Sequence, residues 1–99
     1  MKVSVIVTVF NEAKTIKPLL DSLLEQTLSP SEIIVVDAGS SDGTAEILKQ
    51  YSITPRGCDR GTNRSTARNL GIKGAKNEII AVTDAGCTAD KHWLECLVK

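Results

Sequence analysis

Aromatic residues are nearly missing from this 99-residue chain, which has one Trp, one Tyr and one Phe. Any core must be aliphatic, and a hydrophobic content of 41% is enough to build one. Net charge is missing too. Twelve Lys and Arg balance twelve Asp and Glu, so no basic excess drives general binding to nucleic acid or to a membrane surface. No apolar run reaches the roughly 20 residues that span a bilayer. There is one histidine, His92, and the three cysteines, Cys58, Cys87 and Cys96, form no C-x-x-C pair. A structural zinc site is therefore not expected. An odd cysteine count without a signal peptide predicts reduced, buried thiols in a cytoplasmic protein. The apolar start runs straight into polar Asn11 and Glu12 with no small-residue cleavage site, so it reads as a first strand.

What the chain does have is alternation. Residues 33–36, Ile-Ile-Val-Val, are a short β-branched run, as in a strand buried on both faces. The run stops at Asp37, and Ala38, Gly39, Ser40, Ser41, Asp42 and Gly43 follow as a loop. Asp42 or Ser41 is suited to accept from the free N–H groups of a helix beginning near Thr44. In residues 3–9, Val3, Val5, Val7 and Val9 share one face and Ile6 takes the other. Ile16, Leu19, Leu20, Leu23 and Leu24 repeat at helical spacing and read as core. Pro18 is tolerable only in the first turn, so that helix starts at about Lys14 or Thr15. Ile47, Leu48 and Tyr51 mark a second, shorter helix. Ile53-Thr54 reads as an edge strand, and Pro55-Arg56-Gly57 and Asp59-Arg60-Gly61 as loops. Asn63 caps a third helix, where Ala67, Leu70, Gly71 and Gly74 form a face with small residues that let it lie close to a sheet. Residues 78–83, EIIAVT, form another buried strand ending in a carboxylate, Asp84. Asp90 then caps a last helix carrying Trp93, Leu94 and Leu97.

The order βαβα(β)αβα predicts an α/β fold with a mainly parallel sheet and helices on both faces. In such a sheet the carboxyl ends of the strands form the ligand crevice. Residues 8–12, 37–44 and 84–90 all fall on that edge. They supply carboxylates, hydroxyls and helix N-termini, groups that suit phosphate and a bridging divalent cation. Arg64 and Arg68, at the start of the third helix, carry charge that would neutralise a diphosphate. The edge describes a nucleotide or nucleotide-sugar site better than an apolar one. No G-x-x-x-x-G-K-[ST] is present, and residues 39–43 are not G-x-G-x-x-G. A P-loop nucleotidase, a dehydrogenase and an α/β hydrolase are not expected.

Four blocks in this order, VSVIVTVFNE at 3–12, IIVVDAGSSDGT at 33–44, ARNLGI at 67–72 and EIIAVTDAGC with the following D-x-x-W-L at 78–94, are together specific. The whole chain resembles the N-terminal, nucleotide-binding half of a family 2 glycosyltransferase of the GT-A fold. The resemblance implies a Rossmann-like three-layer α/β/α architecture and a single partial domain over residues 1–99. It implies that Thr8, Phe10 and Glu12 line the base and ribose pocket, with Asp37 under the nucleoside. Arg68 would approach the diphosphate or sugar, and Asp84 would open the D-x-D motif that holds ribose and metal-bound diphosphate. The implied partner is a nucleotide-diphospho-sugar, for inverting transfer to an acceptor hydroxyl. The family's catalytic base lies in the C-terminal half, and nothing in residues 1–99 matches it.

Two positions depart from the family pattern. Ala38 stands where many relatives have a second acidic or amide residue, which puts base identity in question. The D-x-D motif is Asp84-Ala85-Gly86, so the position that usually ligates Mg or Mn has no side chain and cation affinity should suffer. That departure and the short length support an alternative, a non-catalytic nucleotide-binding or interaction module of the same fold. The site residues also have plain structural readings. Asp37, Asp42 and Asp90 can cap local N–H groups, Arg68 can pair with a neighbouring carboxylate, Arg64 and His92 can be surface residues, and Asn11 can be a turn or cap residue. Surface left by a missing half predicts a homodimer, and a longer parent would allow membrane association although this chain has no membrane segment.

Overall fold

The computed structural model describes residues 2–57, 62–77, 79–84 and 89–97, with the backbone alone at Arg64 and Asp84. Its elements run β1 (Val3–Val9), α1 (Ile16–Leu24), β2 (Glu32–Asp37), α2 (Thr44–Gln50), β3 (Arg56–Gly57), α3 (Arg64–Gly74), β4 (Ile79–Asp84) and α4 (Trp93–Leu97). The four strands form one sheet in the order β3-β2-β1-β4, and every pairing is parallel.

β1 is the centre of this arrangement, and all seven of its residues are buried. Its alternation divides the core in two. Val3, Val5, Val7 and Val9 meet Ile16, Leu19, Leu20 and Leu23 of α1, Leu48 of α2 and Leu94 of α4. On the opposite face Ile6 meets Ile34, Val36 and Ala67 of α3. Helices thus cover both faces, giving the Rossmann-like three-layer architecture. Each fully buried aliphatic side chain contributes about 1.5–3 kcal/mol, so their number offsets the scarcity of aromatics.

Small residues set how closely α3 approaches the sheet. A Cβ added at Gly71 would lie 2.5 Å from Ile6 Cγ2 and 3.2 Å from Val36 Cγ2. Asn63 caps the helix, its side chain accepting from Thr66 N–H at 2.9 Å. On the other face α4 is only five residues long and depends on tertiary bonds. Buried Gln26 donates through Nε2 to Asp90 O at 2.6 Å, and its Oε1 accepts from Leu94 N–H at 3.0 Å. Asp90 Oδ1 accepts from His92 N–H at 2.9 Å, closing the turn that leads into α4, which begins at Trp93 rather than directly after Asp90 as a cap there would place it. Pro18 lies in the first turn of α1.

Several expectations are corrected. The short edge strand is Arg56–Gly57, not Ile53-Thr54. Ile53 N–H closes the end of α2 on Leu48 O at 3.0 Å, and its side chain packs against the core, so neither is available to a ladder. Leu24 and Leu97 are exposed, each at the last residue of its helix, and Leu70 is exposed at the edge of the α3 stripe. Gly74 makes room for the Arg56 guanidinium rather than for the sheet. Cys96 is exposed, contrary to the expected burial. Cys58 and Cys87 lie outside the described residues.

Gly71→Ala tests the close approach. In an open helix the change would stabilise by about 1 kcal/mol; here overpacking at about 1–3 kcal/mol outweighs that gain, and urea denaturation should show net destabilisation.

Candidate functional site

The sheet order places the site. The chain leaves β1 for β2 and β3 on one side and returns to β4 on the other. Such a reversal opens a crevice outside the carboxyl ends of the strands, where ligands of open α/β sheets bind. The register puts Thr8 opposite both Val36 and Asp84, and Val9 opposite Asp37. Thr8 and Asp37 are thus brought to one edge, with the backbone of Asp84 beside them. Thr8 is buried and Phe10 is 41% exposed just beyond the strand end. The Glu12 carboxylate accepts from the Thr15 hydroxyl at 2.8 Å. Asp37 is 9% exposed, and its Oδ1 accepts from Ser40 N–H at 2.8 Å.

The loop after β1 and the loop after β2 are tied together. Asn11 N–H donates to Ser40 Oγ at 2.9 Å, and Asn11 Oδ1 accepts from Ser41 N–H at 2.8 Å. Ala13 N–H donates to Asp42 Oδ2 at 3.1 Å. The other oxygen of Asp42 accepts from the Thr44 hydroxyl at 2.5 Å and from Thr44 N–H at 3.2 Å. Asp42 is therefore both the start of α2 and a cross-loop tie. The Thr44 hydroxyl, with the Ala13 and Thr44 amides, holds its carboxyl below the usual carboxylate range. Gly39 and Gly43 take positive φ values of 87° and 96°, letting the loop turn into α2. Sequence reasoning missed the part of Asn11 and Ser40 in this tie. One signal was there, since Asn is among the few residues that tolerate the left-handed region and Asn11 has φ 53°.

α3 runs back from the end of β3 to the start of β4, so its N-terminal turns lie at the same edge. Arg68 sits there beside buried Ala67, and its Nε is buried with no hydrogen-bond partner among the described residues. No ion pair to a carboxylate satisfies it among those residues either. A buried unmade hydrogen bond costs about 1–3 kcal/mol, which an incoming acceptor would recover. The side chains of Arg64 and Asp84, and Gly86 as a whole, lie outside the described residues. Among the described residues no group of three or more His, Cys, Asp or Glu could hold a metal ion. The hard oxygens of Asp84 still suit Mg or Mn, which are commonly held by one or two carboxylates together with substrate phosphates.

Residues 39–43, GSSDG, do satisfy the G-x-S-x-G spacing of a hydrolase elbow, a match the expectation against hydrolases overlooked. Ser41 has no matching base. The one histidine, His92, lies on the chain before α4, its Nδ1 3.3 Å from Glu95 Oε2 and 3.4 Å from Thr27 Oγ1. No helix among the described residues is long and apolar enough to cross a membrane.

A parallel sheet between two helical layers, with polar groups gathered at the strand reversal, defines a Rossmann-like α/β domain. The family model described as glycosyl transferase family 2 matches residues 4–99, and the chain belongs to that family. It is 39% identical over 100 residues to the glycosyltransferase AglE of Haloferax volcanii, an alignment covering 94% of this chain and 33% of that protein. Residues 1–349 of S. aureus TarS in complex with UDP-GlcNAc superpose with a TM-score of 0.89 at 30% identity, covering 99% of this chain and 30% of that one. The mannosyltransferase PcManGT from Pyrobaculum calidifontis, in complex with GDP-Man and Mn2+, gives 0.82 at 30% identity, covering 91% and 29%. The chain spans about a third of the length of these relatives.

Asp42 makes stability depend on acid pH. Its folded pKa is lowered, so its contribution is complete above the unfolded value of about 4 and fades as pH falls through the lower folded value. Asp42→Asn should therefore flatten the acid limb of thermal melting measured between about pH 2 and 6.

Proposed function

We propose that this chain is the donor-binding part of a glycosyltransferase, holding a nucleotide-diphospho-sugar for inverting transfer of the sugar to an acceptor hydroxyl. The observation that carries the reading is the strand reversal, which gathers Thr8, Asp37 and the end of β4 at one edge, with Arg68 Nε, unpartnered among the described residues, nearby. The UDP-GlcNAc and GDP-Man complexes of the two structural relatives support the ligand class.

In this reading Thr8, Phe10 and Glu12 bound the nucleoside, and Asp37 shapes the floor of its pocket. Arg68 donates toward the diphosphate, where its positive charge favours the leaving group as negative charge develops. Asp84 would hold a divalent cation together with the phosphates; bound there, the cation would neutralise charge on the leaving diphosphate. The acceptor hydroxyl attacks the anomeric carbon from the face opposite the departing diphosphate, which inverts that centre, and a carboxylate base takes the hydroxyl proton. That base and the acceptor site are assigned to the parts of the parent enzyme outside residues 1–99. The 99-residue part binds donor and by itself transfers nothing.

One sequence observation, Gly86 in the D-x-D motif, favours a second reading as a non-catalytic binding module. Manganese-dependent release of the nucleoside diphosphate from its sugar donor by a longer parent chain would exclude it.

Calorimetric titration with UDP, GDP and CDP, with and without manganese, tests the proposal. One nucleotide should bind, and Asp37→Ala and Asp84→Ala should each weaken it by about tenfold or more, the worth of one or two hydrogen bonds. A folded chain that binds none of the three contradicts it.

A further inference from the structure

We propose that Asn11 is a positioning residue for the nucleoside half of the site, locking the β1–α1 loop onto the β2–α2 loop so that Phe10 and Glu12 are fixed relative to Asp37. The inference rests on the donor-site reading above.

The two loops leave adjacent strands and have no core to order them. Their polar groups sit at the surface, where water would satisfy them. Instead they bond each other across 29 and 30 residues of sequence, through Asn11 N–H to Ser40 Oγ and through Ser41 N–H to Asn11 Oδ1. Ser40 N–H in turn donates to Asp37 Oδ1. An unbroken series of bonds therefore runs from the carboxylate at the end of β2 to the residue between Phe10 and Glu12.

Asn11 uses both its backbone and its side chain for this. At φ 53° it occupies the left-handed region, which most side chains enter only with strain and which Asn, Asp and Gly accept. It is exposed, and hydrogen bonds formed in contact with water add little net stability. What the lock does is order the two loops at folding rather than at binding. A site whose walls are ordered in advance loses less entropy when ligand arrives, and its affinity rises accordingly.

The test compares Asn11→Ala, Asn11→Gly and Asn11→Asp in the 99-residue chain. Affinities for UDP, GDP, CDP and their parent nucleosides are read by NMR titration well below each melting midpoint. Asp keeps both the left-handed backbone and an acceptor for Ser41 N–H, so it should bind within about twofold of wild type. Ala loses both and should weaken nucleotide and parent nucleoside by the same factor, about tenfold. Gly keeps the backbone and loses the acceptor, so it should fall below Asp. Arg68→Ala, for contrast, should weaken the diphosphate and spare the nucleoside.

A residue that only stabilises the fold would lower the melting midpoint and leave these affinities unchanged, which would overturn the inference. Gly binding as well as Asp would also overturn it, because backbone conformation alone would then suffice. A folded wild-type chain that binds none of UDP, GDP and CDP would overturn the donor-site reading, and the inference with it.

Discussion

β1 is hydrogen-bonded along both edges and packed on both faces, and the rest of the molecule follows from that constraint. A strand so enclosed is mainly apolar, and its two polar side chains, Ser4 and Thr8, fall near its two ends. Thr8 is the one at the carboxyl edge, between the ends of β2 and β4. The same enclosure splits its side chains between two cores, and so calls for helices on both sides. The crevice is therefore a consequence of how the core is built.

Around that crevice the structure divides its work. The loops after β1 and β2 are tied to each other by hydrogen bonds. The α3 side holds Arg68, whose buried Nε has no hydrogen-bond partner among the described residues. A buried polar group without a partner is uncommon in folded proteins and needs an explanation. The proposed donor site supplies one, because an anionic ligand would accept from this donor. On the far face, buried Gln26 anchors the short α4 through Asp90 O and Leu94 N–H.

Most of the architecture was legible in the sequence because the signals were local. Val3–Val9, residues 33–36 and EIIAVT have the composition of enclosed parallel strands, and α1 repeats its leucines at helical spacing. Asn63 announced its cap. The failures came where tertiary contacts decide. Ile53 reads as strand from composition, yet closing α2 takes its N–H and the core takes its side chain. Leu24 and Leu97 fit a helical face by spacing, yet each lies at a helix end where nothing described covers it. The candidate site was legible as a set of strand ends. The partnership of Asn11 with Ser40 and Ser41 was not, because no local pattern records a bond between residues about thirty apart.

The central claim is that ligand binds at the carboxyl ends of β1, β2 and β4. Mapping amide chemical-shift changes on addition of UDP or GDP tests it most directly. The account predicts changes at Thr8, Asn11, Ala38, Ser40 and Arg68, and none at the opposite edge around Ser4, Lys76 and Asn77. Changes centred on that opposite edge, or on the α1–α4 face around Gln26 and Leu94, would contradict it.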